Sequence, residues 1–261
     1  MSPLLHNAAF DALGLDWVSV AFAVPAGAVA GALAGMRALG IVGLSVTMPH
    51  KGDAAVAVDE LTPVARRLGV VNCITQRGGR LVGDSTDGAG FVEALRRGGA
   101  FDPAGRRCVV VGAGGAARAV VLALAEAGAD EVVVVNRSPD HARGAAALAG
   151  ANGRVGTAAD ISQAELVVQA TPVGMDGTAG GAATAFDPDL VHGGQMVADL
   201  VYHPMVTPLL AAAHERGART VGGLGMLVHQ AAVAIGHWTG LPAPVEAMWE
   251  AAEKRSAQTG G

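Results

Sequence analysis

Apolar residues in this chain come in two rhythms. Short β-branched runs at 17–24, 41–46, 108–111, 131–135, 166–170 and 196–200 predict strands, and alanine- and leucine-rich stretches with helical spacing fall between them. Those stretches predict helices over 3–13, 26–39, 53–60, a segment after Pro63, 116–127 and 208–217. Two runs at 70–76 and 80–83, joined through Gly78-Gly79, predict a hairpin. Residues 84–90 lead into a further helix, and Phe101-Asp102-Pro103 reads as a loop. Beyond Val221 the pattern changes to two long helices, 226–238 and 244–255. Strand and helix alternate over most of the length, which predicts an α/β fold with parallel or mixed sheets. The glycine-rich stretch 174–183 reads as a mobile loop and the tail 256–261 as frayed.

The stretch 108–138 is one complete strand, glycine turn, helix and strand. Gly112, Gly114 and Ala117 occupy the first, third and sixth places of G-x-G-x-x-G/A. Gly112 permits the turn, Gly114 lets backbone approach a pyrophosphate, and Ala117 lets the helix sit close to the strand with its positive end toward phosphate. Gly128 stops that helix. At the end of the second strand an NAD-binding unit usually carries Asp or Glu for the ribose 2′-hydroxyl. This chain has Asn136-Arg137-Ser138 there. A guanidinium and a hydroxyl bind a 2′-phosphate that a carboxylate would repel, so NADP(H) is favoured as cofactor. The alternative is Arg137 as an ordinary solvated charge, with Asp140 close enough to reach a ribose.

Composition narrows the partners. The 261 residues suffice for two domains, and the net charge of −5 with scattered basic residues leaves no footprint for nucleic acid. No apolar run approaches the ~20 residues that span a bilayer, and the first residues lack the charged and apolar regions of a signal peptide. A cytoplasmic protein acting on small molecules is expected, as a monomer or homodimer, with no membrane partner. Cys73 and Cys108 lie in apolar segments without C-x-x-C spacing, which predicts buried free thiols, and nothing suggests a metal.

Lysine usage points to a second site. Lys51 and Lys254 are the only lysines among 18 basic residues, and Lys51 closes Ser45-Val46-Thr47-Met48-Pro49-His50-Lys51 between a strand and a helix. Lysine can give and retake a proton where arginine cannot, as reduction of a carbonyl requires, whereas a helix N-terminus disfavours a merely structural cation. Asp87, in Gly83-Asp84-Ser85-Thr86-Asp87-Gly88, is a natural carboxylate partner or else a helix N-cap. Asn72, within the apolar run 70–74, faces a polar ligand or sits in a turn.

Together these residues resemble the shikimate dehydrogenases and their quinate/shikimate relatives. The matches are Ser2-Pro3, SVTMPHK at 45–51, VVN at 70–72, GDSTDG at 83–88, GAGGAA at 112–117, NRS at 136–138 and GLGMLVHQ at 223–230, in family order over nearly the whole chain. The resemblance implies an N-terminal α/β substrate domain over 1–88, completed by helices within 224–261. A C-terminal Rossmann-type NADP-binding domain would cover 89–223, with a cleft between the two. It implies NADP-dependent interconversion of 3-dehydroshikimate and shikimate in aromatic amino-acid biosynthesis. Quinate or aminoshikimate oxidation, or a catalytically silent metabolite-binding paralogue, are the rival readings. Carried over position by position, Lys51 and Asp87 are the catalytic pair, and Ser2, Thr47, Asn72, Tyr202 and Gln230 bind substrate. Gly112, Ala113, Gly114, Gly115, Ala116, Asn136, Arg137, Ser138, Gly223 and Met226 bind cofactor. Where family members often place a second basic residue after the arginine, this chain has His141, with Arg143 two further on. Family members begin with a β-strand and a loop ending S-x-S-P, and this chain begins at the x, so an upstream strand and serine are expected before Met1.

Overall fold

The computed structural model describes residues 1–176 and 183–259, with side chains through residue 255. Part of the glycine-rich stretch, 177–182, and the end of the tail, 260 and 261, therefore lie outside the described residues. The chain divides into two compact units, Met1–Thr86 with Val228–Gly261, and Asp87–Leu227.

The first unit is built on a four-stranded mixed sheet. Its strands are β1 (Gly43–Ser45), β2 (Glu60–Leu61), β3 (Cys73–Arg77) and β4 (Arg80–Asp84), in the order β1-β3-β4-β2. β3 and β4 form the predicted antiparallel hairpin, with register Cys73↔Asp84 through Arg77↔Arg80. Gly78 and Gly79 have φ of 55° and 82°, so both central positions of the turn lie in the left-handed region that favours glycine. Helices α1 (Ser2–Ala12), α2 (Val29–Ala38), α3 (Lys51–Ala57) and α4 (Pro63–Leu68) belong to this unit, with α10 (Val245–Thr259) and most of α9 (Gly223–Thr239). Val29, Leu33 and Met36 of α2 pack with Val71, Ile74 and Leu81 of the sheet region into one buried cluster.

The strand predicted over 17–24 does not form. The segment joins no ladder, and β1, at the sheet's edge, pairs with β3 alone. Val18, Val20 and Phe22 are 75%, 56% and 61% exposed. β-Branched composition expresses a fit to a half-buried pleated surface, and without a neighbouring strand it builds no sheet. Side chains hold the segment instead. Asn7 Oδ1 accepts the Ser19 N–H at 2.6 Å, Asn7 Nδ2 donates to the Ser19 carbonyl at 3.0 Å, and the His50 ring meets the Val24 carbonyl at 2.9 Å. The strand expected over 41–46 shortens to β1, and the helix expected over 53–60 begins at Lys51 and ends at Ala57, so that Glu60 enters β2.

The second unit is a six-stranded, wholly parallel sheet in the order β10-β9-β8-β5-β6-β7. The strands are β5 (Arg107–Val111), β6 (Glu131–Val135), β7 (Gly153–Val155), β8 (Leu166–Gln169), β9 (Met196–Asp199) and β10 (Arg219–Val221). Helices α5 (Asp87–Gly98), α6 (Gly115–Glu126), α7 (Pro139–Ala146) and α8 (Pro208–Glu215) belong to it. Alternate residues of β5 enter two separate buried clusters, Cys108 and Val110 in one and Val109 and Val111 in the other, so the sheet is covered on both faces. The edge strands β7 and β10, three residues each, carry no apolar run long enough to be predicted. Cys73 and Cys108 are free and buried. Among the described residues no helix is long and apolar enough to cross a membrane.

Candidate functional site

In the parallel sheet, the carboxyl end of β5 passes into α6 through Gly112, Ala113 and Gly114. Gly112 has φ of 119°, and a Cβ there would stand 2.9 Å from the Ala170 carbonyl oxygen, so both conformation and packing demand glycine. Gly114 is the N-cap of α6, with no side-chain cap, and Gly115 and Ala116 open the helix. A Cβ at Gly114 or Gly115 would meet nothing within 4 Å. Open space in front of the uncapped, positive end of a twelve-residue helix suits a pyrophosphate.

Asn136, Arg137 and Ser138 lie between β6 and α7. Asn136 Nδ2 donates to the Ser138 carbonyl at 3.1 Å, and Ser138 caps α7 by accepting from the His141 N–H at 3.5 Å. Arg137 is exposed. Arg143 forms an ion pair with Asp140, so its charge is engaged within α7. The residues present fit an NADP 2′-phosphate at Arg137 and the α7 amino end.

Farther along the same sheet edge are groups that sequence reasoning missed. Gln169 and Asp199, register partners that end β8 and β9, are both fully buried. Gln169 Nε2 donates to the Thr171 and Val173 carbonyls at 3.0 and 2.9 Å, and its Oε1 accepts the Thr171 N–H, which fixes the loop after β8. Asp199 accepts from Thr207 Oγ1 at 2.7 Å and from the Val201 N–H at 3.0 Å. Burial raises the pKa of its carboxyl against these hydrogen bonds. Polar residues closing otherwise apolar strands were the available signal. Asp199 shapes the loop that carries Tyr202, which is exposed. Gly223 opens α9 where a Cβ would overlap the Leu200 carbonyl, and Met226 packs against the core of this unit.

In the first unit, Asn72 precedes β3 and is buried at 4% exposure. Its Oδ1 accepts the Thr86 N–H at 2.8 Å, and its Nδ2 donates to Thr86 Oγ1 at 3.1 Å. Gln230 Oε1, from α9, lies 3.5 Å from both Asn72 Nδ2 and Thr86 Oγ1. The structure thus brings together two of the predicted substrate ligands and adds Thr86. Lys51 is half-buried and opens α3, whose start is tied to the sheet by the Val71 N–H donating to the Lys51 carbonyl at 2.9 Å. Thr47 is exposed in the turn before it, and Ser2 opens α1. Asp87, the residue after Thr86, is buried as the first residue of α5 in the other unit.

Comparison with known proteins finds three matching family models. The family model described as the shikimate dehydrogenase substrate binding domain matches residues 1–74, that of shikimate/quinate 5-dehydrogenase matches 95–173, and that of the shikimate 5′-dehydrogenase C-terminal domain matches 223–253. A shikimate dehydrogenase (NADP(+)) of Moorella thermoacetica is 46% identical over 258 residues, covering 95% of this chain and 86% of the relative. One from Methanopyrus kandleri is 46% identical over 266 residues, covering 96% and 90%. The crystal structure of shikimate 5-dehydrogenase from Thermus thermophilus with NADP(H) and shikimate superimposes with a TM-score of 0.90 at 38% identity, covering 98% of this chain and 94% of that one.

Proposed function

The chain belongs to the shikimate dehydrogenase family, and we propose that it performs the NADP-dependent interconversion of 3-dehydroshikimate and shikimate, a step in aromatic amino-acid biosynthesis. The observation that carries this reading is the buried Asn72, Thr86 and Gln230 cluster, whose polar atoms suit a polyhydroxylated acid. The unit containing residues 1–86 is the substrate-binding domain, and the parallel-sheet unit is the NADP-binding domain.

When bound, NADPH supplies the hydride. Backbone amides of residues 114–116 hold the pyrophosphate, and Arg137 and Ser138 hold the 2′-phosphate, with Asn136 orienting that turn. Gly112, Ala113, Gly223 and Met226 complete the surroundings of the cofactor. Ser2, Thr47, Asn72, Tyr202 and Gln230 bind the substrate's hydroxyls and carboxylate. Nζ of Lys51 gives a proton to the substrate oxygen as negative charge grows on it during reduction, and takes it back during oxidation. The Asp87 carboxylate supplies the balancing charge. A positioned general acid of this kind contributes roughly 10²–10⁴ in rate.

The test is steady-state turnover of shikimate, quinate and aminoshikimate with NADP+ and with NAD+. Shikimate with NADP+ is expected to give the highest kcat/KM. A preference for quinate would reassign the substrate. Shikimate binding without turnover under either cofactor would make the chain a metabolite-binding paralogue.

A further inference from the structure

Asn72 and Asp84 are neighbours at the end of the β3–β4 hairpin, where the Asn72 N–H donates to the Asp84 carbonyl at 3.0 Å. Both reach α9. Asn72, with Thr86, approaches Gln230, and seven residues later His237 Nε2 lies 3.1 Å from Asp84 Oδ2. Seven residues are two helical turns, about 10 Å along the axis, so both contacts fall on one face of the helix. Beside the lower contact, Trp238 Nε1 donates to the Ile74 carbonyl at 3.0 Å.

The two contacts differ in strength. Gln230 Oε1 meets Asn72 Nδ2 and Thr86 Oγ1 at 3.5 Å, contacts between neutral groups at the long end of the hydrogen-bond range. The lower contact involves a carboxylate that is itself fixed, because Asp84 Oδ1 also accepts from the Thr62 hydroxyl and, at 2.8 Å, from the Ser85 N–H. Burial pushes the Asp84 carboxyl up, but the hydrogen bonds from His237, Thr62 and the Ser85 amide outweigh it and hold its pKa below the ordinary value. Charge-assisted bonds to an anchored acceptor are the stronger kind.

We propose that His237 is a positioning residue: by bonding Asp84 it sets the height and rotation of α9, and so places the Gln230 amide for the substrate. This rests on Gln230 being a substrate ligand. His237 itself touches neither substrate nor cofactor in this scheme, and its effect passes through the helix.

The experiment compares His237→Leu, His237→Gln and Gln230→Ala in the full chain, reading shikimate KM, NADP+ KM, kcat and thermal midpoint. His237→Leu is expected to raise shikimate KM about ten-fold while NADP+ KM stays within about two-fold, since small misplacement of one ligand acts on the substrate it serves. His237→Gln, whose side-chain N–H still reaches toward Asp84, is expected to recover most of the loss. In a Gln230→Ala background His237→Leu should add no further rise, because the two act on one contact. Should His237→Leu not fold, His237→Ala carries the same comparison. A lowered thermal midpoint with unchanged shikimate KM makes His237 structural and overturns the proposal. If Gln230→Ala raises KM while neither His237 variant does, the positioning role fails and the substrate reading stands. If Gln230→Ala leaves KM unchanged, that reading of Gln230 fails and takes the proposal with it.

Discussion

The side chain of Asn72 binds Thr86 twice, its oxygen accepting the backbone N–H at 2.8 Å and its amide donating to the hydroxyl at 3.1 Å. Two different bonds to one residue leave only one orientation of the amide, so the direction in which it meets a ligand is set before the ligand arrives. Asn72→Ala orphans the Thr86 N–H in a buried place. The expected cost is about 1–3 kcal/mol of stability, measured by denaturant unfolding, with a raised shikimate KM. Asn72→Asp keeps the acceptor but removes the donor and buries a charge, and is expected to be worse on both counts.

Lys51 opens α3 in a chain that otherwise uses arginine almost throughout. Lys51→Ala should lower kcat by at least about two orders of magnitude and change shikimate KM far less. Lys51→Arg keeps the charge without a proton to release, and should be equally slow in single-turnover assays. Near-normal kcat in either variant contradicts the proton-donor role.

Arg137 is exposed at the head of α7, while the nearby Arg143 is paired with Asp140. Arg137→Ala should therefore erode the preference for NADP+ over NAD+ mainly through the NADP+ KM, by roughly 1.5–3 kcal/mol for one charge-assisted bond. Full retention of the preference would point to other groups.

Gly43 in β1 lies against the Trp238 indole, and a Cβ at that position would overlap the ring. The indole cannot retreat freely, because Nε1 donates to the Ile74 carbonyl and the ring forms a T-shaped contact with His6. Gly43→Ala should cost at least about 1–3 kcal/mol in unfolding free energy. Combined with Trp238→Leu, which opens the space, it should cost less than the two single changes added together.

His6 is buried, with Nδ1 3.0 Å from Ser19 Oγ, and burial lowers its pKa from 6.5 to about 4. The folded state binds fewer protons than the unfolded state between those values, so the contribution of His6 is complete above pH 6.5. It is lost progressively as pH falls toward 4, by about 1.4 kcal/mol per pH unit. His6→Gln should flatten that part of the stability profile, as followed by urea unfolding across the range.

The stretch from β5 to β6 was legible residue by residue. β5, the glycine turn, α6 and β6 are contiguous, and strands buried on both faces advertise themselves as unbroken apolar runs. Short edge strands such as β7 and β10 were not legible, because three residues carry no period. The segment 17–24 shows the opposite failure: strand composition is present, yet a strand exists only where another chain segment completes its hydrogen bonds.

The candidate chemistry divides in the same way. Residue type and local spacing marked out Lys51, Asp87, Asn72 and Arg137 by themselves, since proton transfer, burial of an amide and phosphate binding each constrain what can stand at one position. Gln230 was legible only through the family motif, and Thr86, Asp199 and His237 not at all. Asn72 and Gln230 are 158 positions apart, and Asp84 meets His237 only after a hairpin from one end of the chain and a helix from the other have packed together. A local pattern records which face of an element is apolar. Which polar group satisfies which is settled only in the packed structure, where each buried donor must find its acceptor at hydrogen-bonding distance.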